Sequence, residues 1–426
     1  MAFVKDQWTR AVKQADGTVV RVRNEKRWGR GKRWLAVWLG PAGNEVSMAF
    51  ETKTAASRHG SAMETDRERG DYLDPKAGRT RLEQVGKDWL ESRSVDPASL
   101  IQYESKWRLH VAPKFGKRQL KSIRPSEIAV WLREVTEQFG PSTARSAFLV
   151  LHGALELAVA DETLKRNPAK SKIVRRPPIH FADVVVWSEQ VVDDIVEAHP
   201  PQYRLIPIVG AGAGLRQGEI FGLSTEDFDF ENNVIWVRRQ VKKLGRDFVF
   251  SAPKNDKMRA VPMSKAIAEF AREHIEQLGD TEVTLPWETL AGEPRTIRLM
   301  FTWSDGKQIR ARNYDETIWK PALSAVGVIP PPTRDKRGRR HYVTDRKTGL
   351  HALRHHFASV ALKDGVNIKE LAEYLGHYNA SFTLRLYTHL LPSSHDRARQ
   401  AIDRRMTQLR QRLTEQSRSR TESAAA

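Results

Sequence analysis

The stretch HALRHHFASVALKDGVNIKELAEYLGHYNASFTLRLY, residues 351–387, contains a His and an Arg three residues apart, then a further His, then a Tyr ten residues later. In a helix, His351 and Arg354 lie three residues apart and project from one face. An arginine can donate two hydrogen bonds to phosphate oxygens, while a neutral histidine gives or takes a proton. A tyrosine further along the chain can supply an attacking oxygen. The stretch therefore predicts chemistry on a phosphodiester, with Tyr374, Tyr378 and Tyr387 as alternative nucleophiles.

The length and charge of the chain bound its organisation and its partner. A chain of 426 residues is too long for one ordinary hydrophobic core, so two or three domains are expected. There are 71 lysines and arginines against 52 acidic residues, which gives a formal net charge of +19. Such an excess favours a polyanionic partner, and nucleic acid rather than a membrane. The alternative is a basic surface that only keeps the protein in solution.

Several classes of function have no support in the sequence. The chain has no cysteine, which excludes disulfides and thiolate metal sites and fits a reducing cytoplasm. No apolar run approaches the ~18 residues of a membrane span, and the first residues do not form a signal peptide. There is no HExxH, Walker A or GxGxxG pattern. We therefore expect no metal, no nucleotide cofactor and no membrane partner.

Residues 1–72 are predicted to form a three-stranded antiparallel sheet followed by a helix. Alternating segments at 18–23, 33–39 and 45–50 read as the strands, and residues 54–69 read as the helix. Two tryptophans, Trp28 and Trp34, are interleaved with a basic run. A basic sheet of this kind can lie in a DNA groove; the alternative is that the tryptophans form a core and the charges are solvated. The candidate DNA-binding residues are Arg21, Arg23, Lys26, Arg27, Arg30, Lys32 and Arg33.

Residues 79–172 are predicted to form a unit of four helices, because their apolar residues recur at helical spacing. Pro97 and Pro125 stand where two of these helices should begin. The connections are basic, and Lys117, Arg118 and Lys121 are further candidate DNA-binding residues. A basic linker at 170–178 separates this unit from the third.

The third segment, residues 181–412, contains two more candidate site residues. Arg216 follows Gly212 and Gly214, with Glu219 at i+3, where a carboxylate could fix the guanidinium. A salt-bridged helix start would look the same. Strands are predicted at 233–238 and 247–252, joined by a turn at 244–245, with a third at 258–263; Lys254 would then lie on a β-turn.

Two regions of the third segment and the tail carry weaker patterns. Residues 281–349 read as long loops around a helix at 315–326, and the basic loop 328–348 could touch DNA or be disordered. An amphipathic helix is predicted from Ala398 to Leu413, with Ile402, Met406 and Leu409 on its apolar face. It could pack on its own domain or on a neighbouring subunit. Residues 413–426 are expected to be a disordered tail.

Five motifs follow one another in an order and spacing that resemble the tyrosine recombinase family, and within it the phage-type integrases of actinobacterial phages and integrative elements. They are GLRQGEIFGL, PKNDKMRAVP, HALRHHFAS, LGH and LRLYTHL. By this resemblance the catalytic residues are Arg216, Lys254, His351, Arg354, His377 and the nucleophile Tyr387. Glu219 stands where the family accepts Asp or Glu. The loop before His351 is longer than in compact members.

The resemblance implies a multidomain, mainly α-helical fold with small β-sheets. Residues 1–72 would be an arm-type DNA-binding domain, 79–172 a helical core-type DNA-binding domain and 181–412 an α+β catalytic domain. Tyr387 would attack a backbone phosphate and form a 3′-phosphotyrosine, without metal or ATP. The two arginines would clamp the phosphate, His377 would donate a further hydrogen bond, His351 would move the tyrosine proton, and Lys254 would protonate the leaving 5′ oxygen.

The implied partners follow from the same resemblance. They are duplex DNA at core and arm attachment sites, a homotetramer at synapsis, and accessory proteins such as an excisionase or a host DNA-bending factor, in the cytoplasm of a bacterial host at the nucleoid. Two alternatives stand beside a site-specific integrase. One is a non-catalytic DNA-binding or architectural protein, and the other is a type IB topoisomerase-like enzyme, which shares the chemistry but not the two upstream domains.

Overall fold

The structure, a computed structural model, divides into two compact units, residues 1–179 and 180–426. The predicted class, mainly helical with small antiparallel sheets, is confirmed. The predicted tail 413–426, which includes Leu413, lies outside the described residues, and so does Ala398 of the predicted last helix. The structure describes residues 2–15, 17–40, 43–69, 72, 77–178, 186–254, 257–343, 345–387, 399 and 402–412.

The chain begins with five strands and a helix. They are β1 (Phe3–Asp6), β2 (Thr9–Lys13), β3 (Val19–Arg23), β4 (Trp34–Leu39), β5 (Glu45–Phe50) and α1 (Lys53–Glu68). A three-stranded antiparallel sheet of order β1-β4-β5 packs on α1, and Ala36, Trp38, Val46 and Ala56 are buried between them. Thr52 caps α1 by accepting a hydrogen bond from the Ala55 amide.

One of the three strands predicted for this sheet does not belong to it. The segment 18–23, expected in the sheet, is β3, which instead pairs with β2 in a separate two-stranded hairpin whose β3 residues are all exposed. The edge beside β4 is taken by β1, with Phe3 opposite Val37. The Gln14 amide donates to the Thr18 carbonyl at 2.8 Å, and this short connection favours the pairing of β3 with the adjacent β2 over the more distant β4.

The helical part of the first unit has its own core. Its helices are α2 (Leu82–Glu91), α3 (Pro97–Lys106), α4 (Pro125–Phe139) and α5 (Pro141–Ala160), and a π-helical segment, Trp107–Gly116, continues α3. Pro97 and Pro125 occupy first-turn positions, as predicted. Trp131 packs edge-on against Phe115, with ring centroids 5.5 Å apart, and donates its indole N–H to the His110 carbonyl.

Helix α5 is long and apolar enough, by length and composition, to cross a membrane. Eight of its residues are nevertheless buried, and they pack in the same cluster as Leu82, Trp89 and Trp131. A mostly apolar helix is also what the centre of a folded helical domain requires.

The second unit is built around a pair of helices, α7 and α12. Its helices are α6 (Glu189–Glu197), α7 (Leu205–Ala213), α8 (Gln217–Phe221), α9 (Lys265–Leu278), α10 (Ala311–Tyr314), α11 (Lys320–Ala325), α12 (His351–Lys363), α13 (Ile368–Tyr374) and α14 (Ala380–Tyr387). A π-helical turn, Asp315–Trp319, joins α10 to α11, so the helix predicted at 315–326 begins earlier. Ile206 and Val209 of α7 are fully buried in one cluster with Leu353 of α12. This core fixes the start of α12, where the candidate residues lie.

The strands that follow α8 pair differently from the prediction. They are β6 (Phe228–Asp229), β7 (Val234–Val237), β8 (Gln240–Leu244), β9 (Asp247–Ser251) and β10 (Arg259–Pro262). The turn lies at Gly245, as predicted, but it joins β9 to β8, while β7 pairs with β6 and β10. The missed strand, QVKKL, has its two apolar residues, Val241 and Leu244, three positions apart and so lacks the alternation expected of a strand. A two-residue turn favours the adjacent segment over the more distant one.

Two regions predicted as loops contain hairpins. Residues 281–299 form β11 (Thr281–Pro286) and β12 (Pro294–Leu299), paired along six residues each. Within the basic stretch 328–348, β13 (Thr333–Arg334) pairs with β14 (Arg340–His341). The prediction of loop or disorder was wrong for these segments, because short strands with many prolines and charges give little periodic signal.

Candidate active site

Two glycines shape the backbone around the candidate arginines. Gly214 ends α7 in the left-handed region (φ +63°), and Gly376 follows α13 in the same region (φ +58°). A β-carbon at Gly214 would meet the ring of Phe357, and one at Gly376 would lie 3.0 Å from Arg259 Nη1. Both positions therefore require glycine, and the carbonyls of these two glycines accept hydrogen bonds from arginine side chains.

Glu219 is the centre of the cluster. Its carboxylate accepts 2.9 Å and 2.8 Å hydrogen bonds from the Arg216 guanidinium and amide, and 3.0 Å and 2.7 Å bonds from both Nη atoms of Arg259. Only 1% of Glu219 is exposed. Burial alone would raise the pKa of Glu219, but these bonds and the charges of Arg259 and Arg216 lower it to about 2. The carboxylate is therefore ionised at neutral pH and orients two guanidinium groups.

Arg216 and Arg354 are each fixed to backbone carbonyls. Arg216 donates to Gly376 O at 2.9 Å, and Arg354 donates to Gly214 O at 2.7 Å and to Leu375 O. Arg354 is 1% exposed, and burial together with the charge of Arg216 lowers its pKa to about 9, so it remains protonated at neutral pH. Its buried Nε has no hydrogen-bond partner within the described chain.

Tyr387, at the end of α14, is completely buried among Ala358, Leu362, Leu371 and Leu375. Its hydroxyl lies 2.8 Å from Nδ1 of His355. Burial raises the pKa of Tyr387 to about 12, although the charge of Arg354 acts in the opposite direction. Burial and the charge of Arg354 lower the pKa of His355 to about 4. At neutral pH this histidine is thus uncharged, and its Nδ1 can accept the tyrosine proton.

The two predicted histidines make different contacts. The ring of His351 is 4.8 Å from that of His355, edge to face, and His351 is exposed. His377 is half-buried, with Nδ1 2.7 Å from the Thr383 hydroxyl. Burial and the charges of Arg354 and Arg216 lower the pKa of His377 to about 3. Desolvation and the charges of His355 and Arg354 lower the pKa of His351 to about 4, so both histidines are neutral rings at neutral pH.

Lys254 is not joined to this cluster. It lies in the connection between β9 and β10, is exposed, and makes no hydrogen bond or ion pair with any described residue. The other tyrosines differ from Tyr387 in their surroundings. Tyr378 is 80% exposed, and Tyr374 is half-buried against the larger core.

Most predicted DNA-binding residues of the first unit are exposed, but two of them form ion pairs with described carboxylates. Arg33 forms a 2.9 Å ion pair with Asp6, which is buried. Arg118 pairs with Glu127 at 3.1 Å and donates to the Ser122 carbonyl. These two are therefore structural in the free protein. The exposed ones are Arg21, Arg23, Lys26, Arg27, Arg30, Lys32, Lys117 and Lys121.

Sequence reasoning missed two residues of the site, Arg259 and His355. Arg259 lies forty positions from Glu219 and only five after Lys254; a basic residue in a predicted strand beside a candidate site was the available signal. His355 lies four residues after His351, so the two side chains share a helix face, and this i, i+4 spacing was the available signal. Across the described residues, no group of three or more histidine, aspartate or glutamate side chains could hold a metal ion.

Comparison with known families agrees with this geometry. The family model described as "Phage integrase family" matches residues 188–394, and "Phage integrase, N-terminal SAM-like domain" matches residues 81–143. The chain is 25% identical over 386 residues to a prophage phiRv2 integrase of Mycobacterium tuberculosis, covering 86% of this chain and 92% of that protein. It is 25% identical over 328 residues to a XerC-like tyrosine recombinase of Caldanaerobacter subterraneus subsp. tengcongensis, covering 73% and 78%.

Solved structures show the same fold. The integrase of transposon Tn1549, in complex with transposon right end DNA, superimposes with a TM-score of 0.60 at 20% identity, over 76% of this chain and 99% of that one. A lambda integrase tetramer bound to a Holliday junction gives a TM-score of 0.52 at 16% identity, over 81% and 94%. The family matches, the relatives and the shared fold together place this chain in the phage integrase family of tyrosine recombinases.

Proposed function

We propose that this tyrosine recombinase is a site-specific integrase that cleaves and rejoins duplex DNA through a 3′-phosphotyrosine at Tyr387, integrating and excising a phage or mobile element. The observation that supports this assignment most strongly is the buried pair of Tyr387 and His355 beside Arg354. A tyrosine hydroxyl, a neutral proton acceptor and a fixed cation lie together there, which is what attack on a phosphodiester needs.

The side chains that bind the phosphate in this proposal are those of Arg216, Arg354 and His377. Two arginines are bonded to the single carboxylate of Glu219 and Arg354 lies near it, so the cluster keeps an excess of positive charge. Attack on the phosphate increases negative charge on its nonbridging oxygens, and donors that are already oriented stabilise this charge without rearranging. The unpartnered Nε of Arg354 is a buried donor of that kind.

The base that deprotonates Tyr387 in this proposal is His355, and His351 lies beside it. The raised pKa of Tyr387 means that its hydroxyl does not ionise unaided near neutral pH. A base at 2.8 Å can take the proton as the oxygen–phosphorus bond forms. His351 is the residue that the sequence predicted for this step. Its ring contacts that of His355 edge to face, and from this position it can stabilise the protonated form of His355.

The leaving 5′ oxygen must gain a proton when its bond to phosphorus breaks. We assign this proton to Lys254, whose exposed position between β9 and β10 leaves its ammonium free to approach bound DNA. The new phosphotyrosine bond replaces the broken phosphodiester, and a second 5′ hydroxyl attacks it to rejoin a strand. One phosphoester is exchanged for another at each step, so the reaction needs no ATP.

The proposed partners are duplex DNA at core and arm attachment sites and a homotetramer at synapsis. The DNA-bound Tn1549 integrase and the lambda integrase tetramer on a Holliday junction support both proposals. We assign core-site binding to residues 79–172 and arm-site binding to residues 1–72, on their exposed basic side chains. The relatives are bacterial and phage proteins, and we place the reaction at the nucleoid in the bacterial cytoplasm.

The experiment is a covalent trap. The core site is the near-identical repeat expected on either side of the integrated element. A duplex carrying this site with a nick near the cleavage point should leave wild-type protein covalently joined to DNA, while Tyr387→Phe should bind the duplex and form no adduct. DNA binding without an adduct from the wild type would indicate an architectural protein. Relaxation of any supercoiled plasmid without site preference would indicate a topoisomerase.

A further inference from the structure

The basic stretch before α12 is an ordered hairpin, which we call the 333–341 hairpin. Its strands pair with Thr333 opposite His341 and Arg334 opposite Arg340. Asp335 organises the turn: its Oδ1 accepts from the amides of Arg337 and Arg339, at 2.8 Å and 2.9 Å, and its Oδ2 lies 3.2 Å from His341. Gly338 takes the left-handed conformation that the turn needs (φ +73°).

The charges on this hairpin are unbalanced. Lys336, Arg337, Arg339 and Arg340 are exposed, and within the described chain none of them has an ion pair. The one carboxylate of the turn, that of Asp335, is occupied by backbone amides and His341. Arg334 and Arg340 stand directly opposite each other, and like charges in that position destabilise a strand pair. A hairpin of this kind gains stability when a polyanion binds it.

The position of the hairpin in the chain restricts which polyanion this can be. Only residues 342–350 separate it from His351, and nine residues can span at most ~30 Å. The end of this connection is fixed, because Trp319 donates its indole N–H to the Thr348 carbonyl at 2.9 Å. The hairpin is therefore tethered within about one turn of duplex, roughly 34 Å, of a phosphate bound at the arginine cluster.

We propose that the 333–341 hairpin binds the phosphate backbone of duplex DNA within about one helical turn of the phosphodiester that Tyr387 attacks. This inference rests on the proposed function, since it takes the bound duplex as given. The cationic side chains contact phosphates rather than base edges, so the contribution is to affinity at any sequence. It adds a DNA contact that neither the active-site motifs nor the two upstream domains supply.

The test compares two triple variants of the full-length protein. Lys336→Gln/Arg337→Gln/Arg339→Gln removes three charges from the hairpin. Lys265→Gln/Lys363→Gln/Lys369→Gln removes three exposed charges elsewhere in the same unit. Binding to core-site duplexes is measured by anisotropy across a range of salt concentrations. The hairpin variant should bind at least about tenfold more weakly near 0.15 M salt, and its dependence of log K on log salt should be shallower by about 2.7, or about 0.9 per phosphate contact.

Truncating the duplex makes the test specific to position. Shortening the flanks to half a turn on each side of the cleavage point should weaken wild-type binding and leave the hairpin variant almost unchanged. Equal losses for the two triple variants would overturn the proposal, because only general charge would matter. An unchanged salt dependence in the hairpin variant, or a loss of binding to anionic lipid vesicles instead of DNA, would also overturn it.

Order in the hairpin can be tested separately with Asp335→Ala, which removes the acceptor of the turn and adds one positive unit to the net charge. Weaker DNA binding is expected in spite of the added charge, and tighter binding would contradict a structured contact. If wild-type protein forms no adduct on any core duplex, the proposed function fails. If it does form the adduct and the hairpin variant binds as wild type, only the hairpin proposal fails.

Discussion

Arginine is used in two different ways in this protein, in the buried cluster around Glu219 and on the exposed hairpins at 9–23 and 333–341. In the cluster, Arg354 and Arg259 are 1% and 9% exposed, and each is bonded to backbone carbonyls. On the hairpins, the basic side chains lie in solvent. Buried charges depend on one another, because the loss of one partner leaves another uncompensated. Exposed charges act almost independently and are screened by salt.

The largest effect is expected from Arg354. Arg354→Ala should lower the rate of adduct formation by about 10³-fold or more, since it removes a pre-oriented donor to the developing phosphate charge. Arg354→Lys should not restore the rate, because a single ammonium cannot bridge the Gly214 and Leu375 carbonyls and also reach the phosphate. Single-turnover cleavage of a nicked duplex at saturating protein measures both. Recovery to within tenfold in the lysine variant would show that charge alone suffices.

Glu219→Gln should destabilise the second unit. The folded pKa of about 2 lies below the ordinary value of 4.5, so the ionised carboxylate stabilises the fold above pH 4.5, and this stabilisation is lost as pH falls toward 2. The shift corresponds to about 3 kcal/mol at neutral pH. Urea unfolding of wild type and variant at several pH values measures it. The difference in the free energy of unfolding between wild type and Glu219→Gln should shrink as pH falls. A difference that stays constant from pH 7 to pH 3 would contradict a buried, ionised Glu219.

His355→Asn should lower the rate of adduct formation by about a hundredfold at pH 7, because it removes the acceptor of the Tyr387 proton. In the wild type, the rate should fall as pH drops through about 4, where His355 becomes protonated, and the variant should lack that inflection. His351→Asn, a neighbouring change on the same helix, should have the smaller effect. A reversed order of the two variants would assign the proton to His351.

The smallest effects are expected from substitutions on the surface. Variants of Arg21 and of Arg33 serve as controls for each other. Arg21→Gln should weaken DNA binding about threefold and reduce the salt dependence by about 0.9, as one lost phosphate contact does. Arg33→Gln should instead lower the melting temperature of the first unit, because it leaves the buried Asp6 without its ion pair. Thermal unfolding and salt titration separate the two. The same salt dependence for both variants would contradict this division.

The features that could be predicted from the sequence are those that depend on local patterns. Helix starts at Pro97 and Pro125, the turn at Gly245 and the motif residues on α12 were all accessible from spacing and residue type. What it missed depends on contacts between distant positions. The bond from His355 to Tyr387 joins residues thirty-two apart, and Glu219 meets Arg259 across forty. The choice of β1 over β3 beside β4 likewise depends on which segments compete for that edge, and a segment read alone does not contain that information.

The identity of the tyrosine is the most direct test of the account. Wild-type protein trapped on a nicked core duplex can be digested with protease and nuclease, and the nucleotide-bearing peptide mapped by mass spectrometry. The modification is expected on Tyr387, in the peptide that follows Arg385. A nucleotide on Tyr378 or Tyr374 would contradict it, because the nucleophile would then lie outside the buried pocket formed with His355.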